Sequence, residues 1–343
     1  WKPNLHGRVA MSLWGVWPFV LVICGVHGLE FEVDASAMVQ ISRGNSGLVR
    51  VAYSADAKMI EGLKASISSC VEASRDPSKL MIHVMVLKEN LSRFQRDLGV
   101  DGYEKVTKRG ARIKLHEIPE WIAEKETGNF SESTREIRGD LDKPENYARI
   151  HMDKILQLRA GIVVWLDADT IVQRDVKEMS DQLAASGKTI GFVDRSTLMW
   201  SEYVTGFCCD RLGISLKELM NLHAYNVGVC AINLERWRES KAADRFQELV
   251  REHNSCPGGI WQGGSQPPLT LTFQLHPKDS PEDFILFDSR WNTGQLGVPG
   301  REFTSEELAQ SFVLHWSGSS KPWMWGGHHK KLWLPHLQKF AEQ

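Results

Sequence analysis

The run Gly161-Ile-Val-Val-Trp-Leu166 contains no polar side chain, and two carboxylates, Asp167 and Asp169, stand directly after it. A short apolar run without alternation is what a strand covered on both faces needs. Such a strand requires helices above and below it, which commits the chain to an α/β architecture. Open α/β sheets place their ligands just beyond the carboxyl ends of their strands, where these two aspartates stand. In extended backbone, residues i and i+2 point the same way, so both carboxylates converge on one cation. Hard oxygen donors suit Mn²⁺ or Mg²⁺ better than zinc. The plainer reading, an Asp used as a cap in a strand-to-loop turn, is weakened by the unbroken strand before it.

The rest of the chain agrees with that architecture. Val49-Arg-Val-Ala-Tyr53 reads as a strand, and Ile60, Leu63, Ile67 and Val71 recur at helical spacing after it. Met81 to Leu87 is a second strand, Leu91, Phe94 and Leu98 mark a helix, and Arg112 to His116 is a third strand. This alternation predicts one Rossmann-like domain with a mostly parallel central sheet flanked by helices. Trp237 to His253 reads as one amphipathic helix, and Leu332 to Ala341 as a closing one. The polar stretch Glu124 to Asn146 predicts a long surface loop beside the site. A hydrophobic content of 42% with 24% charged residues excludes a disordered chain and a multi-span membrane protein. Lysine and arginine number 41 against 43 aspartates and glutamates, a net charge of −2, so no basic field exists to hold nucleic acid.

The sequence begins at Trp1, and we read its natural start as missing or as Met11. Lys2 and Arg8 precede the apolar run Leu13 to Val26, and Val26-His27-Gly28 offers small residues at a cleavage site. Residues 1–28 therefore read as a secretory signal peptide or short signal anchor. The run is shorter than the roughly 20 residues that span a bilayer, so membrane contact is expected only through this segment where it is uncleaved. Asn90-Leu-Ser92 and Asn129-Phe-Ser131 are acceptor sequons that fit a lumenal protein. The six cysteines form no C-x-x-C pair, and without Cys24 an odd number remains, so no disulfide is assigned. Adjacent Cys208 and Cys209 do not read as a metal site.

A second cluster, His315-Trp-Ser-Gly318-Ser-Ser-Lys321-Pro-Trp323, follows the apolar strand Phe312-Val-Leu314. A neutral imidazole is a good ligand for Mn²⁺. Gly318 lets backbone approach an anion, and Lys321 supplies a point charge for a phosphate. Of the 13 tryptophans, Trp200, Trp237, Trp261 and Trp291 read as core or rim packing. Trp323 to Trp325 and His328-His329 read as a surface loop.

These segments resemble the retaining glycosyltransferases of family 8, which adopt the GT-A fold. The matching pieces occur in family order: Val51-Ala-Tyr-Ser-Ala-Asp56, Tyr147-Ala-Arg149, Leu166-Asp-Ala-Asp169, Tyr225-Asn226-Val-Gly228-Val, Ile232-Asn-Leu-Glu-Arg-Trp237, Gly264-Ser-Gln266-Pro-Pro-Leu269, His315-Trp-Ser-Gly318 and Lys321-Pro-Trp323. The Gly-Ser-Gln-Pro-Pro-Leu stretch, Arg290-Trp-Asn292 and His-Trp-Ser-Gly look most like the plant and algal galacturonosyltransferase-like members. The resemblance implies a GT-A domain over residues 48–343 behind a stem at 29–47, a UDP-sugar donor, Mn²⁺, and a glycan or glycoconjugate acceptor in the secretory pathway, in the Golgi lumen. It implies Asp167, Asp169 and His315 as metal ligands and Gly318 and Lys321 as diphosphate contacts. It implies Asp56 at the uracil and ribose, and Arg149 and Asn226 at the donor sugar. Gln266 is implied beneath the anomeric carbon.

In many relatives acidic residues flank that glutamine; here Ser265 and Pro267 do, so no carboxylate nucleophile is available at those two places. The expected chemistry is same-face attack by the acceptor, with the leaving phosphate oxygen taking its proton and the Gln266 oxygen facing the developing oxocarbenium. Two other classes share the motif. A non-catalytic nucleotide-sugar or glycan-binding relative would have no need to retain both aspartates, His315 and Lys321. A haloacid-dehalogenase-type phosphatase carries Thr or Val where Ile171 stands, and its motif lies near the start of the chain.

Overall fold

A computed structural model describes residues 47–122, 143–194, 199–206, 208–275 and 282–342. The N-terminal segment, Asn129 and most of the Glu124–Asn146 stretch lie outside the described residues. Where that stretch resumes, Pro144–Tyr147 is a short helix with proline in its first turn, a place where the missing N–H costs nothing. Val49–Gln343 forms one compact unit.

Eight strands make the central sheet, in the order β3-β4-β2-β1-β5-β8-β7-β9. They are β1 (Val49–Ser54), β2 (Leu80–Val86), β3 (Glu104–Val106), β4 (Arg112–Glu117), β5 (Ile162–Leu166), β7 (Ile190–Val193), β8 (Val229–Asn233) and β9 (Phe284–Phe287). Strands β4, β2, β1 and β5 pair in parallel, as do β7 and β9. Strand β8 lies between the two groups and runs against both neighbours, and β3 runs against β4 at the edge. The sheet is therefore mixed, with most of its strands in one direction. A separate antiparallel ribbon pairs β6 (Thr170–Val172) with β10 (Val313–His315).

Burial explains the apolar run. Val164 and Leu166 of β5 enter one core with Val51, Tyr53, Val229 and Ala231. Val163 and Trp165 enter the other, with Ala52, Cys230 and Ile232. Successive side chains thus alternate between two cores, and both demand apolar residues. Helix Ile60–Ala73 covers the first core and packs beside the closing helix Lys330–Phe340. A smaller layer of Ala65, Ile171, Leu314, Trp316 and Trp333 lies around the ribbon.

The helix expected over Trp237–His253 is two helices, Leu234–Glu239 and Ala242–Ser255. Lys241, between them, adopts a left-handed backbone at φ 52°, which ends one helix and redirects the next. Trp237 caps the second core while Phe246 and Val250 continue it, so the apolar periodicity spans the break. Trp200, Trp237, Trp261 and Trp291 are all buried, as expected of packing residues. Trp323 is half-buried and Trp325 fully exposed. Cys208 and Cys256 form a disulfide, while Cys70, Cys209 and Cys230 are buried thiols.

Candidate active site

Asp167 and Asp169 occupy the turn between β5 and β6 rather than extended backbone. Thr170 closes that turn by donating from Oγ1 to the Asp167 carbonyl at 2.8 Å. The register of β5 with β8 sets Leu166 opposite Val229, and the Asp167 N–H donates to the Gly228 carbonyl at 2.7 Å. The ribbon supplies the third partner: Thr170 pairs with His315, and the Trp316 N–H donates to the Asp169 carbonyl at 2.9 Å. The ends of β5, β8 and β10 are thereby brought together.

The result is a compact donor set. Ligand atoms of Asp167, Asp169 and His315 all lie within 4.8 Å of one another. His315 Nε2 is 3.3 Å from Asp169 Oδ1 and 3.8 Å from Asp167 Oδ2. Trp165 Nε1 donates to Asp167 Oδ1 at 2.8 Å, and Arg149 stands 3.6 Å from the same oxygen, leaving Oδ2 turned toward the imidazole. Lys321 Nζ meets Asp169 Oδ2 at 2.5 Å and donates to the Trp316 carbonyl at 2.8 Å. Burial pushes the Asp169 carboxyl up, but the Lys321 charge and then His315 outweigh it and hold the group well below the usual carboxylate range. Two carboxylates and one imidazole with buried walls form a donor set that fits a divalent cation. The space is kept open by Gly228. A Cβ there would lie 2.4 Å from His315 Cε1 and 2.6 Å from Asp167 Oδ2.

Around this centre the other expected residues fall on connected elements. Arg149 is buried, stacks over Trp165 at 4.6 Å, and donates to the Val227 carbonyl at 2.6 Å. Asn226 donates from Nδ2 to Gln266 Oε1 at 3.2 Å, and Gln266 Nε2 donates to the Tyr203 hydroxyl at 2.8 Å. Gln266 opens the helix Gln266–Gln274, where the two following prolines sit in the first turn. Asp56, at the end of β1, accepts from the N–H groups of Lys58 and Met59 at 2.9 and 3.2 Å and from Lys143 Nζ at 2.7 Å. Beside it, Trp323 Nε1 donates to the Lys58 carbonyl at 3.1 Å. Gly318, expected at the diphosphate, packs tightly against the backbone of Gly297. Its φ is 123°, and a Cβ there would lie 2.5 Å from the Gly297 carbonyl, so close packing against backbone is what demands glycine.

Sequence reasoning missed Asn292, Gly228, Tyr203 and Lys143 as site residues. The first two lie inside stretches that carried the resemblance, Arg290-Trp-Asn292 and Tyr225-Asn-Val-Gly228, and each touches His315 or its neighbours. Tyr203 and Lys143 lie in segments with no motif.

Comparison with known proteins bears on the family and the fold. A probable galacturonosyltransferase-like 10 of Arabidopsis thaliana is 30% identical over 304 residues, covering 87% of this chain and 77% of that one. A probable galacturonosyltransferase-like 5 of the same plant is 27% identical over 288 residues, covering 82% and 72%. The crystal structure of the galactosyltransferase LgtC with donor and acceptor sugar analogues superposes with a TM-score of 0.54 at 17% identity, covering 86% of this chain and 94% of that one. The architecture is the GT-A fold of the glycosyltransferases. The sequence model described as glycosyl transferase family 8 matches residues 50–325, and the chain belongs to that family.

Proposed function

We propose that this glycosyltransferase is a retaining, Mn²⁺-dependent enzyme that moves a hexosyl or uronosyl group from a UDP-sugar to a glycan or glycoconjugate acceptor. The observation that carries the reading is the convergence of Asp167, Asp169 and His315 within 4.8 Å, with Lys321 on Asp169. A divalent cation held there would supply Lewis-acid stabilisation of the diphosphate leaving group. Asp167, held by Trp165 and Arg149, and Asp169 and His315 provide its ligands.

The chain's own residues supply the remaining chemistry. Lys321 carries positive charge to the leaving diphosphate, which gains negative charge as the bond to the anomeric carbon breaks. Arg149 and Asn226 orient the donor sugar. Gln266 presents its side-chain oxygen near the developing oxocarbenium, and its hydrogen bonds to Asn226, Val227 and Tyr203 hold that oxygen in place before reaction. The residues flanking Gln266 are Ser265 and Pro267, neither of them a carboxylate. Attack therefore comes from the same face, the departing phosphate oxygen taking the acceptor's proton. Asp56 meets the uracil and ribose, and Gly318 and Lys321 the diphosphate.

The same reading assigns residues 1–28 to a signal segment, 29–47 to a stem and 48–343 to the catalytic domain, in the Golgi lumen. Among the described residues no helix is long and apolar enough to cross a membrane. UDP release from a panel of UDP-sugars, with Mn²⁺ and with EDTA, tests the proposal. Mn²⁺-dependent release from one sugar names the donor. Nucleotide binding without release, in the presence of candidate acceptors, would favour a non-catalytic nucleotide-sugar-binding protein on the same fold.

A further inference from the structure

The site contains a chain of hydrogen bonds whose direction is set by backbone. Asn226 Oδ1 accepts from the Gly228 N–H at 3.1 Å. A backbone N–H can only donate, so the oxygen end of the Asn226 amide is fixed. The same oxygen lies 2.9 Å from Asn292 Nδ2, which must therefore be the donor. That leaves Asn292 Oδ1, 2.8 Å from His315 Nδ1, as the acceptor at the other end of its amide. Nδ1 must then carry a proton, and Nε2 is the nitrogen that faces Asp167 and Asp169. On the opposite side, Asn226 Nδ2 donates to Gln266 Oε1, which also accepts from the Val227 N–H at 3.4 Å. Gln266 Nε2 is thereby turned to the Tyr203 hydroxyl. Each amide has one allowed orientation, and all follow from the N–H groups of Gly228 and Val227.

We propose that Asn292 is a positioning residue that couples the two halves of the site. One end of its amide sets which nitrogen of His315 faces the carboxylates, and the other end sets the direction of Asn226 and, through it, of Gln266. Asn292 is buried at 1% exposure and lies on the short 3-10 helix Ser289–Asn292, apart from the segments that carry His315, Asn226 and Gln266. No apolar residue of similar size can serve both neighbours, because one contact needs an acceptor and the other a donor. This rests on the proposed function only in calling the cation Mn²⁺ and Gln266 a reacting-site residue.

Two substitutions separate the ends. Asn292→Ala removes both contacts. Asn292→Asp keeps an acceptor for His315 Nδ1 but sets a carboxylate oxygen against Asn226 Oδ1, so Asn226 must turn. The probes are ¹⁵N NMR of the His315 ring in the full chain, metal-free and with Mg²⁺, the Asn226 side-chain amide resonance, and titration with Mn²⁺ alone. The wild-type ring is expected to show a protonated Nδ1. Asn292→Ala should weaken Mn²⁺ binding about 10- to 100-fold, the usual cost of losing an outer partner of a ligating histidine. Asn292→Asp should keep Mn²⁺ affinity within about threefold of wild type or tighten it, shift the Asn226 amide, and lower turnover at saturating Mn²⁺ at least tenfold. A role limited to packing would make both variants lose affinity together. An unprotonated Nδ1 in the wild type, an unshifted Asn226 amide in the Asp variant, or unchanged Mn²⁺ affinity in the Ala variant would each overturn the inference. The expected resonances without turnover of any UDP-sugar would sink the proposed function and leave the coupling standing.

Discussion

The ammonium of Lys321 donates to Oδ2 of Asp169 at 2.5 Å, so the residue expected to meet the donor's diphosphate lies on a carboxylate expected to hold the cation. In this arrangement the lysine neutralises Asp169. A cation held by Asp167, Asp169 and His315 would take over that role and free the lysine for a phosphate. Lys321→Ala should therefore leave Mn²⁺ affinity in the absence of nucleotide within about threefold of wild type, or tighter. It should weaken UDP binding in the presence of Mn²⁺ at least tenfold, equivalent to about 1.4 kcal/mol. Calorimetric titration of both ligands checks this. Loss of Mn²⁺ binding with UDP affinity untouched would show that the lysine supports the carboxylates instead.

Asp169 and Gln266 should separate by magnitude. Asp169 is a buried member of the three-residue donor set, whereas Gln266 contributes an oriented dipole held by Asn226, Val227 and Tyr203. Removing one preorganised dipole typically costs about 10²- to 10³-fold in turnover. Gln266→Ala should fall in or below that range with residual transfer measurable, while Asp169→Ala falls to background. Equal loss in both variants, with a trapped sugar on Gln266 in mass spectra of the intact wild-type protein, would point to covalent catalysis.

Much of this site was legible because its residues lie at strand ends. Strand β5 has to be apolar on both faces, and its last residue has to be followed by polar groups, so Asp167 and Asp169 stand out in any reading of residues 161–169. His315 was legible for the same reason at the end of β10. The antiparallel insertion of β8 was not, because the apolar run Val229 to Ile232 reads the same in either direction. Nor was the break at Lys241, since a left-handed residue between two apolar faces leaves the helical periodicity intact. Asn292 and Tyr203 act through hydrogen bonds across the fold, and no spacing in one sequence encodes such contacts.

Cysteine spacing likewise gave no connectivity, and the structure pairs Cys208 with Cys256 across 48 residues. The bridge ties together a small core of Trp200, Leu219, Ala224, Ile260, Trp261 and Leu271, from which Tyr203 reaches Gln266. Chain-entropy arguments put the stabilisation from a loop of this length at about 4 kcal/mol, with measured values often lower. The double variant Cys208→Ser/Cys256→Ser should lose about 2–4 kcal/mol in denaturant unfolding. Transfer should fall less than tenfold, because Asn226 and Val227 still hold Gln266. Unchanged unfolding, with wild-type protein insensitive to reductant, would show the bridge to be absent or irrelevant.

A buried pair of histidines contributes to the expected response to acid. His83 on β2 and His116 on β4 face each other with Nδ1 and Nε2 2.9 Å apart, and both are buried. Burial lowers the His83 imidazole to about 3, helped by His116 and by the charges of Arg50, Lys114 and Arg112. Burial lowers His116 to about 4, with Lys114 adding to the effect. In the unfolded chain both return to about 6.5. Between that value and the folded ones the unfolded chain binds more protons, so stability is complete above about pH 6.5 and is lost as the pH falls toward 4. Each imidazole should contribute a slope on the order of 1 kcal/mol per pH unit in that window. His83→Phe removes one of the two, so its stability should fall less steeply between pH 7 and pH 5, by about one proton. Urea unfolding of both proteins across this range makes the comparison, and parallel curves would show that the pair does not govern acid sensitivity.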